Sequence, residues 1–130
     1  MATLYLVFSH KITPEQQLEA EASLGISHIE KLPEDLQTLF SNVPPELESL
    51  QEYLQPLKNW LAERVQPQDF VLIQGDFGVT FSLVSFCFKN NLGIPIYSTT
   101  QRESVEVPQP DGSVVMQKVF RHKRFRRYEP

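Results

Sequence analysis

One cysteine, Cys87, stands among 130 residues, so the chain can form no internal disulfide. It falls inside an apolar helical pattern, which predicts a buried, inert thiol and not a nucleophile. The three histidines, His10, His28 and His122, share no metal-ligand spacing with it or with one another. Neither a metal nor any other cofactor is expected. No stretch approaches the ~20 consecutive apolar residues that cross a bilayer, and the opening MATLYLVFSHK lacks the basic start and small-residue cleavage site of a secretory signal. A cytoplasmic protein with no membrane partner is the expectation.

Several glycine motifs are also missing. There is no Gly-x-x-x-x-Gly-Lys-Ser/Thr, no Gly-x-Gly-x-x-Gly and no Gly-x-Ser-x-Gly, which excludes a P-loop, a dinucleotide fingerprint and a nucleophile elbow. Asp76-Phe77-Gly78 spells a kinase motif, but a chain without the His-Arg-Asp loop and the strand lysine is not a protein kinase.

What is present centres on Asp69 to Phe86, DFVLIQGDFGVTFSLVSF. Phe70, Val71, Leu72 and Ile73 form a continuous apolar run, the pattern of a strand covered on both faces in a parallel sheet. Gln74, Gly75, Asp76, Phe77 and Gly78 make a turn whose glycines suit positive φ or a close ligand approach. A mostly apolar helix follows through Phe88. A helix start at the carboxyl end of a buried strand is a place where anions bind, although Gly-x-x-Gly is often only a tight connection.

At 41% hydrophobic, 130 residues make one domain able to bury a core without staples. Leu4 to Phe8 reads as a central strand ending at Ser9-His10. Thr13-Pro14-Glu15-Gln16 opens a helix through a capping box, with proline in its first turn. Ile26 to Leu32 is a second strand and Pro33 to Phe40 a short helix. Leu47, Leu50, Leu54, Leu57 and Leu61 give an apolar helical face from Glu46 to Val65, which Pro56 should kink or split. Asn90-Asn91-Leu92-Gly93 ends the helix of the central stretch before a strand over Ile94 to Tyr97. Ser98 to Arg102 leaves that strand's end. Residues 104–121 read as a hairpin about Pro108-Gln109-Pro110-Asp111-Gly112, and 122–130 as a basic C-terminal segment. The alternation predicts a Rossmann-like α/β fold: a mainly parallel sheet of about four strands flanked by helices, with a C-terminal antiparallel β-hairpin.

Charge is unevenly placed. Residues 1–69 hold eleven Asp and Glu against Lys11, Lys31, Lys58 and Arg64, whereas Lys118, Arg121, Lys123, Arg124, Arg126 and Arg127 fall within ten residues. Such a chain is ill suited to coating long nucleic acid, but could hold a compact polyanion at one place. If the strands are parallel, Ser9-His10, Gln74 to Gly78 and Ser98 to Arg102 emerge on one edge, offering amides, hydroxyls, an imidazole and a guanidinium. No carboxylate cluster accompanies them to hold Mg²⁺.

The motifs FSHKIT, IQGDFGVTF, IYSTTQRE and FRHKRFRRY, in that order, resemble a small stand-alone family of type III CRISPR defence, similar to the CRISPR-associated Rossmann-fold sensor domains and proposed to be ring nucleases. The resemblance implies binding of a cyclic oligoadenylate, tetra-adenylate being favoured, and its cleavage to linear products that switch the response off. The matched positions are Ser9 and His10, Gln74 to Gly78, Thr99, Thr100 and Arg102, and His122 with Arg126; the family does not say which is catalytic. On chemical grounds His10 would move protons, Thr99 and Thr100 would position phosphate, and Arg102 would stabilise charge, with His10, Thr99, Thr100 and Arg102 forming the catalytic set. Ser9, Gln74, Gly75, Asp76, Phe77, Gly78, His122, Lys123 and Arg126 would bind the ligand. Asp76 suits either capping its helix or orienting a base, capping being favoured. A homodimer would match the two-fold symmetry of a four-nucleotide ring. The competing readings are a non-catalytic cyclic-nucleotide sensor with the same pocket, and a nucleic-acid binder working through the basic C-terminal segment.

Overall fold

The computed structural model describes residues 2–130. Its elements in chain order are β1 (Ala2–Phe8), α1 (Pro14–Ser23), β2 (Ile26–Lys31), α2 (Glu34–Ser41), α3 (Gln55–Arg64), β3 (Phe70–Gln74), α4 (Phe77–Asn90), β4 (Ile94–Pro108) and β5 (Val114–Arg127). One five-stranded sheet has the order β2-β1-β3-β4-β5, parallel throughout except for the antiparallel β4–β5 pair. The α/β class expected from the alternation of elements is the class observed.

Both faces of the sheet are covered, which is why its inner strands carry unbroken apolar runs. On one face Tyr5, Val7, Val71 and Ile73 meet α2, α3 and α4 through Leu36, Phe40, Leu57, Leu61, Val79, Leu83 and Cys87. On the other, Leu4, Leu6, Phe8, Phe70, Leu72, Ile96 and Phe125 lie beneath α1 and its buried Ala20. Thr13 caps α1 as its sequence promised: its hydroxyl accepts from the Gln16 N–H, and the Gln16 side chain accepts from the Thr13 N–H. At the end of α4, Asn91 adopts the left-handed conformation (φ 52°). Gly93 follows at φ 70°, where an added Cβ would stand 2.8 Å from the Asp69 carbonyl oxygen. Among the described residues no helix is long and apolar enough to cross a membrane.

Three expectations need correction. The helix expected from Glu46 to Val65 begins only at Gln55, with turns before it. Pro56 lies in its first turn, where its missing N–H costs nothing, so the proline starts the helix and does not kink it. Second, Ser98 to Arg102 is no strand-end loop. β4 runs unbroken through it, because β5 pairs with β4 from Pro108 back to Ile96 and supplies the partners that β3 ceases to offer after Leu72. Third, the hairpin is longer than residues 104–121, and His122 to Arg127 of the basic C-terminal segment belong to β5. Beyond Ser98 the two strands leave the sheet as a two-stranded arm, entered through a β-bulge between Thr99 and Thr100.

Candidate functional site

Strand order reverses direction between β1 and β3, with α1 on one face and α2 to α4 on the other. In open α/β sheets the crevice outside the carboxyl ends at such a reversal is where ligands sit. Phe8 is paired with Gln74, so Ser9-His10 and Gly75-Asp76 leave neighbouring strands side by side. Ser9 and His10 are exposed, and the His10 ring stands edge-on to Phe8 with centroids 5.5 Å apart. Beside this crevice, over the carboxyl ends of β1 and β2, lies a cavity of about 400 Å³ bounded by Leu6, Phe8, Ser9, His10, Lys11, Ile12, Lys31, Gln37 and Ser41. Among the described residues the lining has Lys11 and Lys31, an imidazole, two hydroxyls and an amide, and no carboxylate, which is a donor set for an anion. Among the described residues neither Lys11 nor Lys31 is in an ion pair. Gln37 braces the wall, its Nε2 donating to the Phe8 carbonyl oxygen (3.0 Å) and to Ser41 Oγ (2.9 Å).

The Gln74 to Gly78 turn behaves differently from its first reading. Neither Gly75 nor Gly78 has positive φ. Their smallness admits side chains from the protein itself: a Cβ on Gly75 would lie 2.6 Å from Phe40 Cζ, and one on Gly78 3.1 Å from Leu50 Cδ1. Asp76 caps α4, its Oδ2 accepting from the Val79 N–H at 3.0 Å, and so places a carboxylate where an anion would otherwise meet the helix start. Gln74 Oε1 accepts the Ser98 N–H at 2.7 Å, tying β3 to β4 where their ladder ends. Phe77 is 94% exposed and lines, with Gln74, Gly75, Phe81, Phe88 and Tyr128, an apolar groove of about 530 Å³ along α4.

Thr99, Thr100 and Arg102 ride on the arm. Thr99 Oγ1 donates to the Arg124 carbonyl oxygen (3.0 Å) and accepts the Arg124 N–H (3.2 Å), so its hydroxyl is committed to the bulge. Thr100 lines a separate cavity of about 420 Å³ with Pro14, Gln16, Phe120 and His122. The Arg102 guanidinium lies over the Phe120 ring at 5.4 Å and is in no ion pair among the described residues. Lys123 and Arg121 both bind Glu103, each at 2.8 Å, and the Lys123 hydrogen bond foremost holds that carboxyl below its usual range. Arg126 stacks over Tyr97 at 5.7 Å, and Arg127 lies over Phe70 at the far end of β3. The basic residues that crowd together in sequence are therefore strung along a 14-residue strand. The predicted residues line several depressions, and only Ser9 with His10 shares the basic cavity.

A family model described as "Uncharacterized protein MJ1673 family" matches residues 2–126. The chain belongs to this family. A protein of Methanocaldococcus jannaschii, "Uncharacterized protein MJ1673", is 43% identical over 130 residues, which is 100% of this chain and 99% of the relative. No solved structure matches the chain.

This MJ1673-family chain also holds site residues that sequence reading missed. Lys11 and Lys31 are 20 positions apart, and only the β1–β2 pairing brings them to one cavity. Gln16, Glu19 and Ser98 join His122 in a chain of hydrogen bonds between α1, β4 and β5. His122, first read as a ligand-binding residue, has a side chain only 5% exposed, with both ring nitrogens engaged. The capping box was the one signal that Gln16 would be special. Among the described residues no three His, Cys, Asp or Glu side chains converge as a metal ion would require.

Proposed function

We propose that this MJ1673-family protein binds a cyclic oligoadenylate, tetra-adenylate being favoured, and cleaves it to linear products that end type III CRISPR signalling. The observation that carries this reading is the basic cavity around His10 at the carboxyl ends of β1 and β2, with no carboxylate among its described lining residues, an environment for phosphodiester oxygens within reach of an imidazole. The ring brings its own nucleophile. A ribose 2′-oxygen attacks the adjacent phosphorus, the P–O5′ bond breaks, and the products are a 2′,3′-cyclic phosphate and a 5′-hydroxyl. The protein has then to hold in-line geometry, stabilise charge and move one proton from the 2′-oxygen and one to the 5′-oxygen, with no need of a metal. In this reading His10 transfers a proton, Lys11 and Lys31 bind phosphate, and Arg102 meets developing charge from the arm. The same reading places the protein in the cytoplasm as a homodimer, two copies of the strand edge facing one ring. The exposed Phe77 and Phe81, which begin α4 at that edge, supply the contact between copies.

The commitment of Thr99 to backbone, and of His122 to an internal network, favours one second reading, a sensor that binds the ring without cutting it. Labelled cyclic tetra-adenylate incubated with the protein in EDTA, with products resolved by mass, decides between them. Linear oligoadenylate with a terminal cyclic phosphate supports cleavage, and binding without product supports the sensor. No binding, or cleavage only after Mn²⁺ or Mg²⁺ is added, overturns the proposal.

A further inference from the structure

At the root of the arm, four side chains form a hydrogen-bond chain whose direction the backbone fixes. The Thr13 N–H donates to Gln16 Oε1 at 2.8 Å, so the amide oxygen faces the helix start and the amide nitrogen faces Ser98. Gln16 Nε2 donates to Ser98 Oγ at 3.3 Å. At the other end, Glu19 Oε2 accepts the Phe125 N–H at 3.1 Å while its Oε1 meets His122 Nε2. A carboxylate accepts only, so Nε2 carries a proton; Ser98 Oγ already accepts from Gln16, and Nδ1 is the one acceptor its own proton meets among the described residues, so Nδ1 is unprotonated. Ser98 Oγ, 2.5 Å from Nδ1, donates its proton there. No buried side-chain nitrogen or oxygen among the described residues lacks a partner.

Serine, imidazole and carboxylate in this order resemble an activated nucleophile. Burial argues otherwise. Ser98 is 6% exposed, its hydroxyl both donates and accepts within the protein, and it lines none of the cavities described above. Position explains the chain better. Thr100 pairs with His122 just past the bulge, so the chain ends where the arm begins. The arm itself is a two-stranded ribbon with exposed Val114, Val115, Met116 and Phe120, and such a ribbon holds no fixed direction unaided.

We propose that Glu19, His122, Ser98 and Gln16 are positioning residues, a tautomer-locked latch that fixes the arm to the start of α1. Two of its members, Gln16 and His122, line the cavity shared with Thr100 and Phe120, and the latch sets Thr100 and Arg102 in relation to the His10 loop. That last consequence rests on the functional reading above; the latch itself does not.

Three measurements on the full chain test it. Nitrogen-15 NMR of the imidazoles should show His122 as the neutral Nε2–H tautomer, and an Nδ1–H, doubly protonated or averaging ring overturns the assignment. In Ser98→Ala and Glu19→Gln, amide exchange over residues 100–121 should quicken about tenfold or more while β1 and β3 keep their protection. A uniform rise across the molecule, or none, sinks the latch, and so does labelling of wild-type Ser98 by a fluorophosphonate. If wild type cleaves cyclic tetra-adenylate, Ser98→Ala should lower kcat about tenfold with KM changed less than about threefold. An unchanged kcat then removes the positioning role. If wild type cleaves nothing, exchange and NMR still decide the latch while the functional reading falls separately.

Discussion

The Phe40 ring occupies the space where a side chain on Gly75 would begin, with Cζ 2.6 Å from the position of a Cβ. The contact joins α2 to the turn between β3 and α4, and Phe40 is itself 2% exposed with little room to retreat. Gly75→Ala should therefore destabilise by roughly 1–3 kcal/mol through overpacking, seen as a lower denaturant midpoint at constant slope. Phe40→Leu in the Gly75→Ala background should recover part of that loss, and strict additivity of the two changes would show that the contact is not the cause.

Cys87 offers a test of the core under α4. Burial pushes its thiol up to about 12 from the usual 9.0. The folded state thus keeps a proton that the unfolded chain releases, so this thiol's contribution to stability is level below about pH 9 and falls as pH rises towards 12. Native protein at pH 8 should resist a maleimide and react fully once unfolded. Rapid labelling of the native state would show that the α4 packing opens readily.

The fold was legible because its signals are local: apolar runs for β1 and β3, a capping box at Thr13, a left-handed stop at Asn91 followed by Gly93. The site was less so. Gln74 to Gly78 announces a turn, but only the packing of Phe40 and Leu50 shows that its glycines make room for protein. Ser98 to Arg102 looks like a loop because no local pattern tells that β5 will continue the ladder after β3 stops. Lys11 with Lys31, and Glu19 with His122, are juxtaposed by tertiary pairing alone, and spacing along the chain carries no trace of it.

Phe77 and Phe81 are 94% and 76% exposed at the start of α4. One turn apart on a single helix face, they are expensive to leave in water. If they join two copies, Phe77→Ser with Phe81→Ser should convert a dimer to a monomer in sedimentation at micromolar concentration without lowering thermal stability of the fold. Wild type that sediments as a monomer, with or without cyclic tetra-adenylate, would remove the dimer from the proposal.

The last prediction separates the two basic groups that the fold holds apart. Lys11 and Lys31 share the cavity with His10, whereas Arg102 projects from the arm with its guanidinium over Phe120 and, among the described residues, in no ion pair. A lysine gathers phosphate as a point charge; an arginine meets two phosphate oxygens with a planar fork. Lys11→Ala and Lys31→Ala should accordingly weaken binding of cyclic tetra-adenylate a fewfold each, leave single-turnover cleavage at saturation nearly unchanged, and reduce the salt dependence of binding. Arg102→Ala should slow that single-turnover step about a hundredfold, and Arg102→Lys, which keeps the charge and loses the fork, should recover only part of it. Cleavage by Arg102→Ala within about threefold of wild type would take Arg102 out of the transition state. A severe slowing in His10→Ala alongside it would then place the whole of the chemistry in the cavity at the ends of β1 and β2.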